Sequence, residues 1–426
     1  MGVNMRKILL GIFGGLLAVC ANAAQVANLD YVHKLIAQKW DISVPIRADN
    51  PMQVANMKYL LTAIDVANEI LNGEKTTDYG NGEFATLQVA DTIATNQAVE
   101  TLIQKPIEYK FFLTTTSTNS FSFKISAAGK FYVDWGDGKT ETITKPDTTD
   151  TIYSHDYDTA GAYTIGIGGQ ATAYNTSTSI AAIRFYVNSS QTKIASIDGS
   201  LGAIFGTLSS GTQKQPRFYW TFYGATNMTG SIPAKLFTGI SGAPAERMFY
   251  YTFSSCSGLT GAIPDGLFAG ISGEPASSMF HSTFQGCTGL TGAIPDDLFA
   301  GISGAPATYM FAYTFKDCSG LTSIPSDLFG NLTGAPASYM FSGTFSGCSG
   351  LTSIPENLFG NISGTAQRGM FKETFYNCTS LTGPSARING QYLYEIWPSA
   401  TSTQVGDMYQ NATGLSDYSS IPSPWK

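Results

Sequence analysis

Nucleophilic, acid–base and metal chemistry each need particular side chains brought together, and this chain offers few such sets. Its only histidines are His33, His155 and His281, in three different segments. Serine and threonine are abundant, but a hydroxyl becomes a nucleophile only beside a base that a third group orients, and no such trio is signalled. The sequence holds no phosphate loop, dinucleotide fingerprint or zinc motif. Carboxylates far apart in sequence can still meet as they do in glycosidases. With that route left open, the expectation is a binding protein, not an enzyme, with no cofactor.

Two stripes of residues carry the binding chemistry. One is aromatic and recurs at a fixed place in an otherwise constant framework: Tyr219 and Trp220, Tyr250 and Tyr251, His281 and Ser282, Ala312 and Tyr313. Rings in a row serve either as a protein hot spot or sugar platform, or as packing at the edge of a repeat. Tyr219, Trp220, Tyr250, Tyr251, His281 and Tyr313 are the candidate ligand-binding residues. Later copies lose the rings, with Ser342 and Gly343, then Lys372 and Glu373. The second stripe is acidic: Asp265, Asp296, Asp297, Asp327 and Glu356. Aligned carboxylates attract cations such as calcium, and turn or capping chemistry accounts for them equally. No metal site is assigned.

Cys256, Cys287, Cys318, Cys348 and Cys378 share one position of the repeat, and Ala225 and Ala412 hold that position in the end copies. A small, buried, apolar side chain is what the column demands, so a ladder of buried thiols is expected. A disulfide between neighbours and metal binding are the alternatives. The spacing lacks the short Cys/His pairs of metal sites.

These stripes exist because the chain repeats. Met248, Met279, Met310, Met340 and Met370 open successive copies at spacings of 31, 31, 30 and 30 residues, with an earlier copy from Arg217 and a shortened one from Met408. Units that cannot bury their own apolar face do so by stacking on the next. Within one copy, Pro336 is placed to start a helix, Phe341, Phe345 and Cys348 follow at helical spacing beside Met340, and Gly347 and Gly350 end it. Leu351 to Ile354 is a short strand stopped by Pro355. Leu358 and Phe359 return the chain to the core. This predicts a helix, turn, strand and loop per copy, stacked as a narrow parallel sheet with helices on the other side of a curved slab. Early copies carry one more residue, as in Leu259-Thr260-Gly261-Ala262-Ile263-Pro264, which predicts a bulge there.

The phrase from Thr344 to Pro355, T-F-x-G-C-S-G-L-T-S-I-P, resembles the A-F-x-x-C-x-x-L-x-x-I-x-I-P pattern of BspA-like bacterial surface leucine-rich repeats. The resemblance covers roughly Lys193 to Lys426, with a longer period and an added G-A-P-A-S before each copy. It implies a secreted or surface-displayed protein that binds other molecules, and names no ligand.

The rest of the chain differs in character. Arg6 and Lys7, the apolar run Ile8 to Val19 and the small residues Ala21-Asn22-Ala23 read as a cleavable signal peptide over 1–23. Residues 24–105 read as helical, with Met57, Leu60, Leu61, Ile64, Ala67 and Leu71 on one face. That face docks on the next domain or serves assembly. Residues 106–190 carry short β-rich runs separated by turns, the pattern of a small sandwich. Here Val133-Asp134-Trp135-Gly136-Asp137-Gly138, then His155, Tyr157, Gly161 and Tyr163, resemble the W-D-F-G-D-G and H-x-Y-x-x-x-G-x-Y signatures of PKD-like domains. Such domains are usually spacers or binding modules of secreted proteins, and His155 is expected to be packed and not catalytic.

The fold class expected is therefore multidomain: an α/β leucine-rich-repeat solenoid over 191–426, capped at both ends, preceded by a PKD-like β-sandwich and a short helical region. Charged residues make up only 13% and the net charge is −7, which argues against nucleic acid as a partner. After the leader no stretch is apolar enough to span a membrane. The function expected is adhesin-like recognition of a protein or glycan at the cell surface. The alternative is a structural spacer or surface-layer component that self-assembles through its N-terminal helices.

Overall fold

The computed structural model describes residues 108–426; the expected leader and helical region lie outside the described residues. Strands β1 (Tyr109–Thr115), β2 (Thr118–Ile125), β3 (Ala127–Asp134), β4 (Thr140–Lys145), β5 (Thr151–Gly161), β6 (Thr164–Tyr174), β7 (Ile183–Arg184) and β8 (Ile194–Gly199) come first. They form two antiparallel sheets, β4-β3-β6-β1-β8 and β5-β2-β7. Alternation dictates the faces: Phe111 and Leu113 of β1, Phe121 and Phe123 of β2, and Phe131 and Val133 of β3 all point into a shared core. The turn between β3 and β4 is held by its own aspartates, since Asp134 accepts the Gly136 amide at 2.9 Å and Asp137 that of Lys139 at 3.0 Å.

The repeats overturn the α/β expectation. Among the described residues strand is 26% and helix 6%, and the only α-helices are single turns, α1 (Leu393–Ile396) and α2 (Ser402–Val405). No helix forms where the Phe341, Phe345 and Cys348 stripe predicts one. The reason lies in the backbone: Tyr339, Gly343 and Gly347 have φ of +56°, +59° and +74°. A left-handed residue at every fourth position breaks any α-helix. The other copies do the same, as at Arg247, Tyr251 and Ser255, with φ of +55°, +56° and +62°. The narrow parallel sheet is also reduced, to isolated bridges such as Gly230 with Leu259 and to short pairs such as β9 (Gly292–Ala293) with β10 (Leu321–Ser323). A leucine-rich-repeat solenoid of helices and strands is not what this sequence forms.

Each copy is instead an irregular coil whose backbone bonds divide in two. Phe249, Tyr251 and Phe253 donate their amides to Met279, His281 and Thr283 of the next coil at 2.8 to 3.0 Å. The residues between them, Tyr250, Thr252 and Ser254, donate back to Arg247, Phe249 and Tyr251, three positions earlier in the same coil. Alternate residues thus tie a coil to its neighbour and to itself, which satisfies amides that burial would otherwise leave unpaired. The extra residue of the longer copies is a left-handed glycine, at Gly230, Gly261 and Gly292, and the pairing of β9 with β10 shifts register between Leu321 and Ser323.

The core is built of aligned phenylalanines. Phe218, Phe249, Phe280, Phe311, Phe341 and Phe371 stack in one column at 5.4 to 5.9 Å between centroids. Phe222, Phe253, Phe284, Phe315, Phe345 and Phe375 make a second at 5.4 to 5.7 Å. A third runs from Phe237 to Phe359. Burying each ring contributes about 2–3 kcal/mol. The second column continues into the sandwich, where Phe222 stacks on Phe185 at 5.4 Å and Phe185 faces Phe111 at 5.9 Å. Strand β8 belongs to both parts, pairing with β1 while the Ala195 carbonyl accepts the Thr229 amide at 2.8 Å. At the far end the Tyr409 amide bonds the Trp425 carbonyl, and both rings are buried.

The five cysteines are free and buried. Each thiol also donates a hydrogen bond: Cys287 and Cys318 reach the carbonyls of Phe253 and Phe284 in the preceding coil at 3.1 and 3.0 Å. Burial pushes the Cys256 and Cys378 thiols up to about 12. Buried thiols that resist ionisation are poor nucleophiles. All five should therefore remain unreactive towards a disulfide reagent at mildly alkaline pH and react together once denaturant unfolds the coils. Rapid labelling of any one in the native protein contradicts the column.

Candidate functional site

At the left-handed corners of successive coils the aromatic residues meet, with both corner side chains half-buried at 219–220 and 250–251 and the pair at 281–282 buried. Tyr219 and Tyr250 stack at 5.1 Å with planes 6° apart, and Tyr250 stacks on His281 at 4.7 Å. Trp220 lies 4.8 Å from Tyr219, Tyr251 4.6 Å from Tyr250, and the Tyr313 ring meets His281 edge-on at 5.6 Å. All six candidates thus lie on one strip, half-buried except His281, which is only 8% exposed.

Four further rings lengthen the strip. Tyr186 packs edge-on against Trp220 and Tyr223 at 5.6 and 5.1 Å, and at 39% exposure it is one of two large apolar side chains most open to solvent among the described residues. Tyr309 contacts His281 and stacks on Tyr339 at 4.6 Å. A signal for two of them lay in the sequence, because the residue before each repeat methionine varies as freely as the corner pair: Arg247, Ser278, Tyr309, Tyr339, Gly369. Tyr186 carried none, since it belongs to the segment after β7.

The strip has a defined surface chemistry. In the column Tyr219, Tyr250 and His281 the rings cover one another's faces, the two tyrosines half-buried and the imidazole buried. Burial, with Tyr251 and Tyr219 adjacent, raises the Tyr250 phenol to about 12, so it stays a hydrogen-bond donor. Cations sit over the rings: Arg247 above Tyr250 at 5.5 Å, Lys316 above Tyr313 at 5.4 Å and Arg368 above Tyr339 at 5.9 Å. Glycines make room, since a Cβ on Gly343 or Gly369 would come within 2.4 or 2.3 Å of the Tyr313 and Tyr339 rings.

His281 is the strip's one imidazole. Its Nδ1 lies 3.0 Å from the Ser282 hydroxyl, and burial, reinforced by Arg247, lowers it to about 4 from 6.5. The unfolded chain therefore takes up a proton first as the pH falls, so stability is full above about 6.5 and lost towards 4. The loss should be about 3 kcal/mol. Urea unfolding at both ends of that window should show it in the native protein and not in His281→Ala, a change that the chain tolerates in the same column at Ala312. Equal pH dependence in the two proteins contradicts it.

The acidic stripe does not converge. Asp297 accepts the Gly266 amide at 2.9 Å, and Glu356 pairs with Arg387 at 3.2 Å. Asp265, Asp296 and Asp297 line an open depression. No group of three or more potential metal ligands occurs among the described residues. In the sandwich, His155 stacks on Trp135 at 5.0 Å and shares a 2.8 Å hydrogen bond with Asp137. Burial opposes ionisation of that carboxyl, but the bonds from His155 and the Lys139 amide lower it below the usual carboxylate range. This pair knits β5 to the β3–β4 turn.

Among the described residues no helix is long and apolar enough to cross a membrane. No family model matches the chain, and no match was found among curated proteins or solved structures.

Proposed function

We propose that this is an exported, surface-displayed binding protein without catalytic activity, and that the aromatic strip of its repeats recognises a protein ligand. The observation that carries the reading is the continuity of the strip, in which tyrosine, tryptophan and arginine line successive coils. These side chains dominate binding energy at protein interfaces, where large rings lose little freedom on contact. A protein is favoured over a glycan because sugars stack on open ring faces, and here the faces of the central column are turned on each other. The leader-like residues Arg6 to Ala23 and the resemblance to bacterial surface repeats support export.

The test is a binding screen against host proteins and glycans with the full chain and with the double variant Tyr250→Ala, Tyr251→Ser. Both replacements copy residues that the chain itself carries in the same columns, Ala312 and Ser282, so the coils should still stack. Protein binding that falls at least tenfold in the variant supports the strip. Binding unchanged in the variant, or binding to glycans alone, overturns it.

A further inference from the structure

We infer that the polar depression crossing the last four coils is a second binding site, distinct from the packed rings of the strip, and that it takes an uncharged sugar residue. The sequence opens this depression. The coil of Met340 carries Ser346 and Gly347 where its neighbours carry Lys316 and Asp317 on one side and Tyr376 and Asn377 on the other. The missing bulk leaves a hollow of about 490 Å³, which Glu373, Asp407 and Gln410 complete.

The groups that line it are poised and largely unused. Ser346 is only 3% exposed and lines the hollow, and its hydroxyl has no hydrogen-bond partner among the described residues. A hydroxyl withdrawn from bulk water and left unpaired is costly, and a hydroxyl of a ligand would satisfy it. Among the described residues Asp317 and Asp407 form no ion pair or side-chain hydrogen bond, and Lys316 pairs with no acid. Asn377 accepts a bond from Asn411 at 2.7 Å through its side-chain oxygen, which leaves its own N–H groups unused. Only Glu373 is already matched, by Lys372 at 3.3 Å.

The mixture of groups selects the ligand. Lys316, Asn377 and Gln410 can donate hydrogen bonds, and Asp317, Asp407 and Ser346 can accept them. A cation would use only the acceptors and an anion only the donors, whereas a hydroxyl uses both. The carboxylates do not converge on a point, for no group of three or more potential metal ligands occurs among the described residues. Small-molecule pockets are mostly apolar, and this one is polar, so it suits a ligand bearing many hydroxyls. Tyr376 supplies what else a sugar needs. It is half-buried and lines the hollow, and unlike the tyrosines of the strip it contacts no other ring among the described residues. Its ring is therefore free to pack against the C–H groups of a sugar ring.

The experiment applies the full chain, in EDTA, to an array of uncharged and acidic oligosaccharides. The best uncharged one is then titrated into the native chain, Tyr376→Ser, Ser346→Gln and the strip variant Tyr250→Ala with Tyr251→Ser. The first two replacements copy Ser254 and Gln285 of the same column, one removing the ring and the other filling the floor. An uncharged oligosaccharide should bind with little dependence on salt, and each of these two changes should weaken it at least about tenfold. The inference is overturned if no uncharged oligosaccharide binds, if binding needs a divalent cation, or if both Tyr376→Ser and Ser346→Gln bind as the native chain does. Loss in the strip variant alone overturns it as well. The two sites are judged apart. A chain that binds the sugar through Tyr376 and no protein through Tyr250 upholds the hollow and overturns the strip, and the reverse result overturns the hollow and leaves the strip.

Discussion

Gly270→Ala should lower the free energy of unfolding by about 3 kcal/mol or more, among the largest losses available to a single methyl group in this chain. A Cβ at Gly270 would lie 1.9 Å from the Ile240 carbonyl oxygen of the preceding coil, and at the equivalent Gly301 it would lie 2.1 Å from Ile271. Neither glycine needs an unusual φ, so the cost is one of contact alone. To admit the methyl, two coils must part, and parting lengthens the bond from the Ser272 amide to the Gly242 carbonyl, now 3.0 Å. Gly292→Ala is the natural control: its φ is +83° but nothing lies within 4 Å of its Cβ. That change carries only the left-handed penalty, about 1–2 kcal/mol. Urea unfolding of the two variants separates the effects. Equal losses would mean that the coil spacing is not set by backbone contact at Gly270.

Phe280→Ala should cost about 3–5 kcal/mol. Its ring is fully buried and lies 5.4 and 5.7 Å from Phe249 and Phe311 in its own column, and 4.9 and 4.5 Å from Phe268 and Phe299 in another. Deleting it opens a cavity where two columns meet, and the neighbouring coils cannot close without losing their own register. Phe280→Leu keeps most of the volume and should cost less than about 1.5 kcal/mol. The two midpoints in urea are the check. A loss under about 1.5 kcal/mol for alanine would contradict close packing of the columns.

The repeat period was legible from the methionines, and burial of the cysteine column from Ala225 and Ala412 at the same place. The helical spacing misleads for a specific reason. Phe341 and Phe345 recur at four residues, as do Met340, Thr344 and Cys348. Over two turns a period of four cannot be told from one of 3.6. What distinguishes them is the left-handed residue at every fourth position. Its best trace is the column Gly224, Ser255, Gly286, Asp317, Gly347, Asn377 and Asn411, where residues that tolerate that conformation gather. The other left-handed columns hide the signal, because Arg247, Tyr251 and Tyr309 are residues that stacking, not backbone preference, holds there. Strand β5 leaves little trace in the sequence because it is an edge strand on which only Tyr157 is buried. Candidate site residues could be found one copy at a time, but their union into a strip depends on coil spacing, which no single copy encodes.

The division of backbone bonds between coils gives the molecule an electrical direction. Along the left-handed corner every amide that leaves a coil points towards the C-terminal end, and every carbonyl that receives one points back. In an ordinary parallel sheet such dipoles alternate and cancel. Here they add from coil to coil, as in a helix. The N-terminal end of the stack bears the partial negative charge, and the sandwich quenches it: amides of Ala182 and Phe185 bond the carbonyls of Arg217 and Thr221 at 2.8 and 2.9 Å. The sandwich is thus an electrostatic stopper as well as a neighbour, and at the opposite end the Trp425 carbonyl receives the outgoing Tyr409 amide.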